Sequence, residues 1–89
     1  MDTAAKLLTG NNASYTSEAL AAGVEADVPL EIVVDTTGAV ASAQSLVHVG
    51  YGLDEAAVRS VLGYRFAPAR RGGRVSAVRM RWLMRFQLR

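Results

Sequence analysis

From Val78 onward, apolar residues (Val78, Met80, Trp82, Met84, Phe86, Leu88) alternate with Arg79, Arg81, Arg85, Gln87 and Arg89, broken only by Leu83. Side chains of a strand point to opposite faces in turn, so this pattern predicts a long β-strand with one buried and one solvated face. Ordinary strands run about 5–6 residues, which makes this one long. A long strand near a terminus is commonly an edge strand, whose free amides and carbonyls can pair with another chain. A second alternating stretch places Val28, Leu30, Ile32 and Val34 at even positions and Glu25, Asp27, Glu31 and Asp35 at odd ones.

Punctuation between these runs supplies the remaining elements. Residues 1–14 are small and polar with one apolar pair, Leu7-Leu8, and predict no regular structure of their own. Thr16 or Ser17 caps a short helix through Ala22, stopped by Gly23. The first strand is expected from about Val24 to Asp35, followed by an Asp35-Thr36-Thr37-Gly38 turn. A returning strand from about Ala39 to Val49 slips once in its alternation, as a bulge would cause. Asp54 is expected to cap a helix from Glu55 to Leu62, with Leu53 stapled on Val58 and Gly63 as the stop. Tyr64 and Phe66 read as a short extended piece and Pro68–Arg74 as a basic loop. The implied fold class is α+β, a three-stranded antiparallel sheet with two helices on one face, in the order α-β-β-α-β. Pro29, inside the first strand, cannot donate to a ladder and is expected at a bulge or facing an open edge.

Size and charge refine this picture. Eighty-nine residues make a single domain with a modest core. The absence of cysteine removes disulfides, thiolate nucleophiles and thiolate metal sites. No apolar run approaches the roughly 18 residues of a membrane span. The opening Met1-Asp2-Thr3 is neither basic nor followed by an apolar segment, unlike a secretion signal. Action outside the cytoplasm would therefore make this chain an excised domain of a longer protein. The overall +2 charge divides into −7 over the first 55 residues and +9 over the last 34. A basic half suggests a polyanion partner. The alternative is internal pairing, with the acids of the first long strand facing Arg79, Arg81 and Arg85 across the ladder, and the shared alternation favours it. Such pairs contribute about 0.2–1 kcal/mol each.

Candidate chemistry is sparse. His48 is the sole histidine, so no multi-histidine metal site forms, and it reads as structural or superficial. Trp82, Tyr64 and Phe66 read as core. The Ala69-Arg70-Arg71-Gly72-Gly73-Arg74 run lacks the Lys-Ser/Thr and following helix of a P-loop; it reads as a solvated loop, with contact to anionic envelope material as its other reading. No catalytic constellation assembles, no cofactor is indicated, and the chain reads as a non-enzyme.

The order and spacing of several short motifs carry a resemblance. Tyr15 before a short helix, "GVEADVPLEIVVDTTGAV", Leu53-Asp54-Glu55-Ala56-Ala57, Tyr64-Arg65-Phe66-Ala67-Pro68-Ala69 and a final strand ending "FQL" resemble the C-terminal domain of TonB energy transducers over about Asn12 to Leu88. The resemblance implies that the first strand is central and the last at an edge. It implies a periplasmic domain on an inner-membrane anchor, which grasps the extended TonB box of an outer-membrane transporter and couples it to a proton-driven motor for energised import. By position the peptide contacts would be Asn12 and Tyr15 together with Val78, Arg79, Met80, Arg81, Trp82, Leu83 and Met84. Three departures stand out. Thr16 replaces a proline, Val47-His48 a small polar pair, and Leu83 a proline that many members carry on the last strand. Regaining the Leu83 N–H makes the edge better able to pair with a peptide or with a second copy as a homodimer. Two other classes remain open: an envelope adaptor that binds another periplasmic protein or itself, and a nucleic-acid-binding module using the arginine face. The lack of interleaved exposed aromatics argues against nucleic acid.

Overall fold

The computed structural model describes residues 2–10 and 14–88. Two nine-residue strands form its centre, β2 (Ala26–Val34) and β7 (Val78–Phe86), joined antiparallel from Ala26 opposite Phe86 to Val34 opposite Val78. On the other side of β2 lies β3 (Val40–Ser45), giving the order β3-β2-β7. The first long strand is thus central and the last at an edge. Val28, Leu30, Ile32 and Val34 are fully buried, and Met84 and Phe86 nearly so, which places the core on the even face of both strands.

Helix α1 (Ser17–Ala22) starts as its sequence demands: the Thr16 hydroxyl accepts from the Ala19 amide at 3.1 Å, and left-handed Gly23 closes it. Helix α2 (Leu53–Val61) contributes Leu53, Ala57 and Val61 to the same core that receives Ala19 of α1. Two details depart from expectation. Gly52, not Asp54, is the N-cap residue and makes no side-chain cap. Leu53 already belongs to the helix and is fully buried, so it does not act as a staple before the cap. The Asp54 carboxylate is drawn instead to the amides of the preceding loop.

The order is richer than α-β-β-α-β: the extended piece expected at Tyr64 and Phe66 is a short strand, and three further short strands were not anticipated. Strand β1 (Lys6–Thr9) lies in the segment expected to be irregular and pairs with β4 (Arg65–Ala67). All four β1 residues are exposed, so neither face leaves an apolar signature in the sequence. The expected basic loop is a hairpin, β5 (Ala69–Arg71) and β6 (Arg74–Ser76), turned at Gly72-Gly73. Thr3 and Arg70 exchange two backbone hydrogen bonds of 2.8 Å, fastening the N-terminal arm to this hairpin.

The bulge is present: Val33 faces Ser42 while Val34 faces Val40, leaving Ala41 unmatched. Strand β3 stops at Ser45, earlier than its alternation suggested, and Pro29 explains why. The Leu46 amide donates to the Pro29 carbonyl at 2.9 Å, so Pro29 presents its backbone toward β3. The amide that would return the bond is missing, and the ladder ends there. Pro29 therefore sits neither in a bulge nor at an open edge, but where a neighbouring strand terminates.

The opposed charges partly pair as expected. Arg79 Nε lies 3.8 Å from Glu31 Oε1, and Arg85 Nε 3.8 Å from Asp27 Oδ1. Asp35 takes no part. Its Oδ1 accepts from the amides of Thr37 (2.9 Å) and Ala39 (3.1 Å), holding the β2–β3 turn. Glu25 is used at the chain end, accepting from the Leu88 amide at 2.8 Å.

Candidate strand-accepting edge

The Pro29–Leu46 bond also fixes the phase of the whole sheet. Backbone groups alternate sides along a strand, so odd residues of β2 face β3 and even residues face β7. The nine-residue register then pairs Met80, Trp82 and Met84 of β7 with Ile32, Leu30 and Val28 through the ladder. It follows that Arg79, Arg81, Leu83 and Arg85 direct their N–H and C=O groups away from the sheet. Among the described residues no strand lies against that side.

The side chains at these outward positions lie on the solvated face, and Leu83 is 46% exposed. Val78, Met80 and Trp82 occupy the core face but remain half-buried, unlike Met84 and Phe86 farther along. The Trp82 ring meets Tyr64 and Phe66 edge-on, at centroid distances of 5.8 and 5.5 Å. The edge therefore combines unpaired backbone, a firm aromatic footing and an apolar flank still partly open to water.

The site residues expected from the sequence divide accordingly. Val78, Met80, Trp82 and Met84 spend their backbone on β2; the first three offer half-exposed side chains, and Met84 is buried. Arg79, Arg81 and Leu83 offer backbone. Arg85 belongs with them and lay outside the expected stretch, although the alternation through Phe86 was its signal. Tyr15 stands at the far end of β7, its ring edge-on to Phe86 at 5.4 Å and its hydroxyl donating to the Val24 carbonyl at 2.8 Å. Burial, helped by the nearby Glu25 charge, raises its phenol above the ordinary value. Tyr15 is thus held by the domain itself. Asn12 lies outside the described residues. His48 is 90% exposed at its side chain, 3.8 Å from Asp54 Oδ2, and sits in the loop before α2, away from the edge.

The model of the family described as Gram-negative bacterial TonB protein C-terminal matches residues 11–88. This chain belongs to the TonB C-terminal domain family. The solution NMR structure of the Pseudomonas aeruginosa TonB C-terminal domain is similar with a TM-score of 0.73 and 24% sequence identity. That alignment covers 97% of this chain and 88% of the other, and at this identity it speaks for the fold. No curated protein matches.

Proposed function

We propose that this TonB C-terminal domain works in the periplasm by taking up an extended segment of an outer-membrane transporter, its TonB box, as an added strand on the outer side of β7. In this reading a longer parent protein anchors the domain in the inner membrane and links it to a proton-driven motor. The observation that carries the proposal is the row of outward amides and carbonyls at Arg79, Arg81, Leu83 and Arg85. Strand addition draws affinity from main-chain bonds and needs little specific sequence. Each bond contributes about 0.5–1.5 kcal/mol net, and several loaded side by side resist traction along the chain better than one point contact.

The flanks add a preference. An incoming strand covers the open parts of Met80 and Trp82 with alternate apolar residues. On its other face, Arg81 has no ion pair among the described residues, while Arg79 and Arg85 are matched to acids. An acidic residue opposite Arg81 is therefore favoured. The role is one of binding rather than of chemistry.

Titrating the isotopically labelled domain with a TonB-box peptide, a scrambled peptide and an oligonucleotide tests this. Amide shifts should alternate, largest at Arg79, Arg81, Leu83 and Arg85, for the TonB-box peptide. Shifts confined to the hairpin, or equal responses to the oligonucleotide, would refute the edge. Broadening that grows with protein concentration alone would mark a second copy as the occupant.

A further inference from the structure

The β5–β6 hairpin carries Arg70, Arg71 and Arg74 and no acid of its own. Arg71 and Arg74 stand directly opposite each other at the turn, and paired residues of a two-stranded ribbon share a face. Like charges so placed repel, and no ion pair relieves either of them among the described residues. Arg70 pairs with Val75, which puts both on the reverse face, where Val75 is 42% exposed. The Arg70 Nη1 is 3.2 Å from the Gly73 carbonyl, curling the guanidinium toward the tip.

A second observation is that a carboxylate of the chain itself already sits at the tip. The Gly72 amide donates at 3.0 Å to Oδ1 of Asp2, a carboxylate brought in by the N-terminal arm through the Thr3–Arg70 bonds. That carboxylate is held by backbone, and none of Arg70, Arg71 and Arg74 has an ion pair among the described residues.

We propose that this hairpin is a docking finger for an anionic phospholipid surface. Three exposed arginines spread around the tip of a thin ribbon can each engage a separate headgroup of one plane. The exposed Val75 beside Arg70 suits a headgroup boundary, and the ribbon has no aromatic ring on which a nucleic-acid base could stack. The inference does not depend on peptide capture at β7, which uses other residues.

The test is co-sedimentation of the domain with vesicles of phosphatidylcholine alone or doped with phosphatidylglycerol. The variants are R70Q/R71Q/R74Q and, as an equal change of charge elsewhere, R79Q/R81Q/R85Q, with folding of each checked by amide spectra. Each arginine at an anionic surface contributes enough that losing three should weaken partitioning about a hundredfold. The sheet-face variant should fall by about tenfold at most, and salt should weaken binding of the parent chain. D2A, which removes the acceptor and frees the tip amide, should bind the anionic vesicles at least as well as the parent. Equal losses in the two triple variants, equal binding to neutral vesicles, or tighter binding to an oligonucleotide than to vesicles would each overturn the proposal.

Discussion

The Asp54 carboxylate reaches back out of the first turn of α2 to the Gly50 amide, Oδ2 accepting at 2.9 Å. The Val49 amide adds bonds of 3.0 and 3.2 Å, and the Ser45 hydroxyl donates to Oδ1 at 3.0 Å. One buried acid thus ties the end of β3 to the start of α2. Burial alone would raise its pKa; the Gly50 and Val49 amides, the Ser45 hydroxyl and nearby His48 outweigh that and hold it below the ordinary value.

The acid limb of stability follows from this sign. The unfolded chain takes up a proton at the ordinary Asp value of about 3.9, before the folded chain does. Stability from Asp54 is therefore complete above that value and disappears as pH falls through the lower folded pKa. Asp35, lowered chiefly by its bond from the Thr37 hydroxyl, acts in the same direction. Denaturation curves should be level from about pH 5 to 6 and weaken below about pH 4. D54A should lose about 1–3 kcal/mol by leaving its donors unmatched, and should flatten the acid limb. An unchanged limb in D54A would count against this account.

Gly38 and Gly23 both have positive φ, at 88° and 66°, yet they should respond differently to alanine. A Cβ on Gly38 would lie 1.9 Å from the Phe66 carbonyl oxygen, whereas one on Gly23 meets nothing within 4 Å. The Phe66 amide donates to the Gly38 carbonyl at 2.8 Å, so the two backbones cannot separate without losing the link to β4. G23A should cost about 1–2 kcal/mol, the left-handed penalty alone. G38A should cost more than about 4 kcal/mol, as severe core lesions do. Urea midpoints compared at constant slope measure both.

Tyr15 separates anchoring from recognition. Y15F keeps the edge-on contact with Phe86 and loses the bond to Val24, so the melting temperature should fall by about 4–8 °C. If the hydroxyl serves only the domain, peptide affinity measured well below that temperature should change less than about twofold. A tenfold loss, about 1.4 kcal/mol, would give Tyr15 a direct contact.

The alternation of β2 and β7 made the two long strands, their buried face and part of their charge matching legible, because period-two patterning records which side meets the core; the central place of β2 came from the family resemblance. Strand β1 left no such record. Lys6-Leu7-Leu8-Thr9 is exposed on both faces and is held through backbone pairing that almost any sequence can make. The hairpin read as a loop because Arg70, Arg71 and Arg74 carry no apolar period. Asp54 misled for a different reason: an acid beside a helix start satisfies capping statistics equally well when its oxygens serve the loop behind it. The outward phase of β7 was hidden as well, since alternation reports side-chain faces and not which amides look outward. Pro29 held that information. A proline in a central strand must turn its missing donor toward the neighbour that ends first, and that fixes the opposite edge.

This phase yields the sharpest prediction, since two adjacent prolines should behave oppositely. The Arg81 amide points away from β2, so R81P removes a donor that no described neighbour uses, in an edge position where proline is tolerated. The Met80 amide points into the ladder toward Ile32, and M80P should cost about 3 kcal/mol or more by breaking it. R81P should therefore unfold within about 1 kcal/mol of the parent chain yet bind the TonB-box peptide at least about tenfold more weakly. R81A controls for the guanidinium, keeping the amide while deleting the charge. Should R81P retain full affinity in a fold verified by its amide spectrum, the peptide is not an added strand on β7. Should R81A weaken binding as much as R81P, the contact is made by the side chain rather than by the backbone.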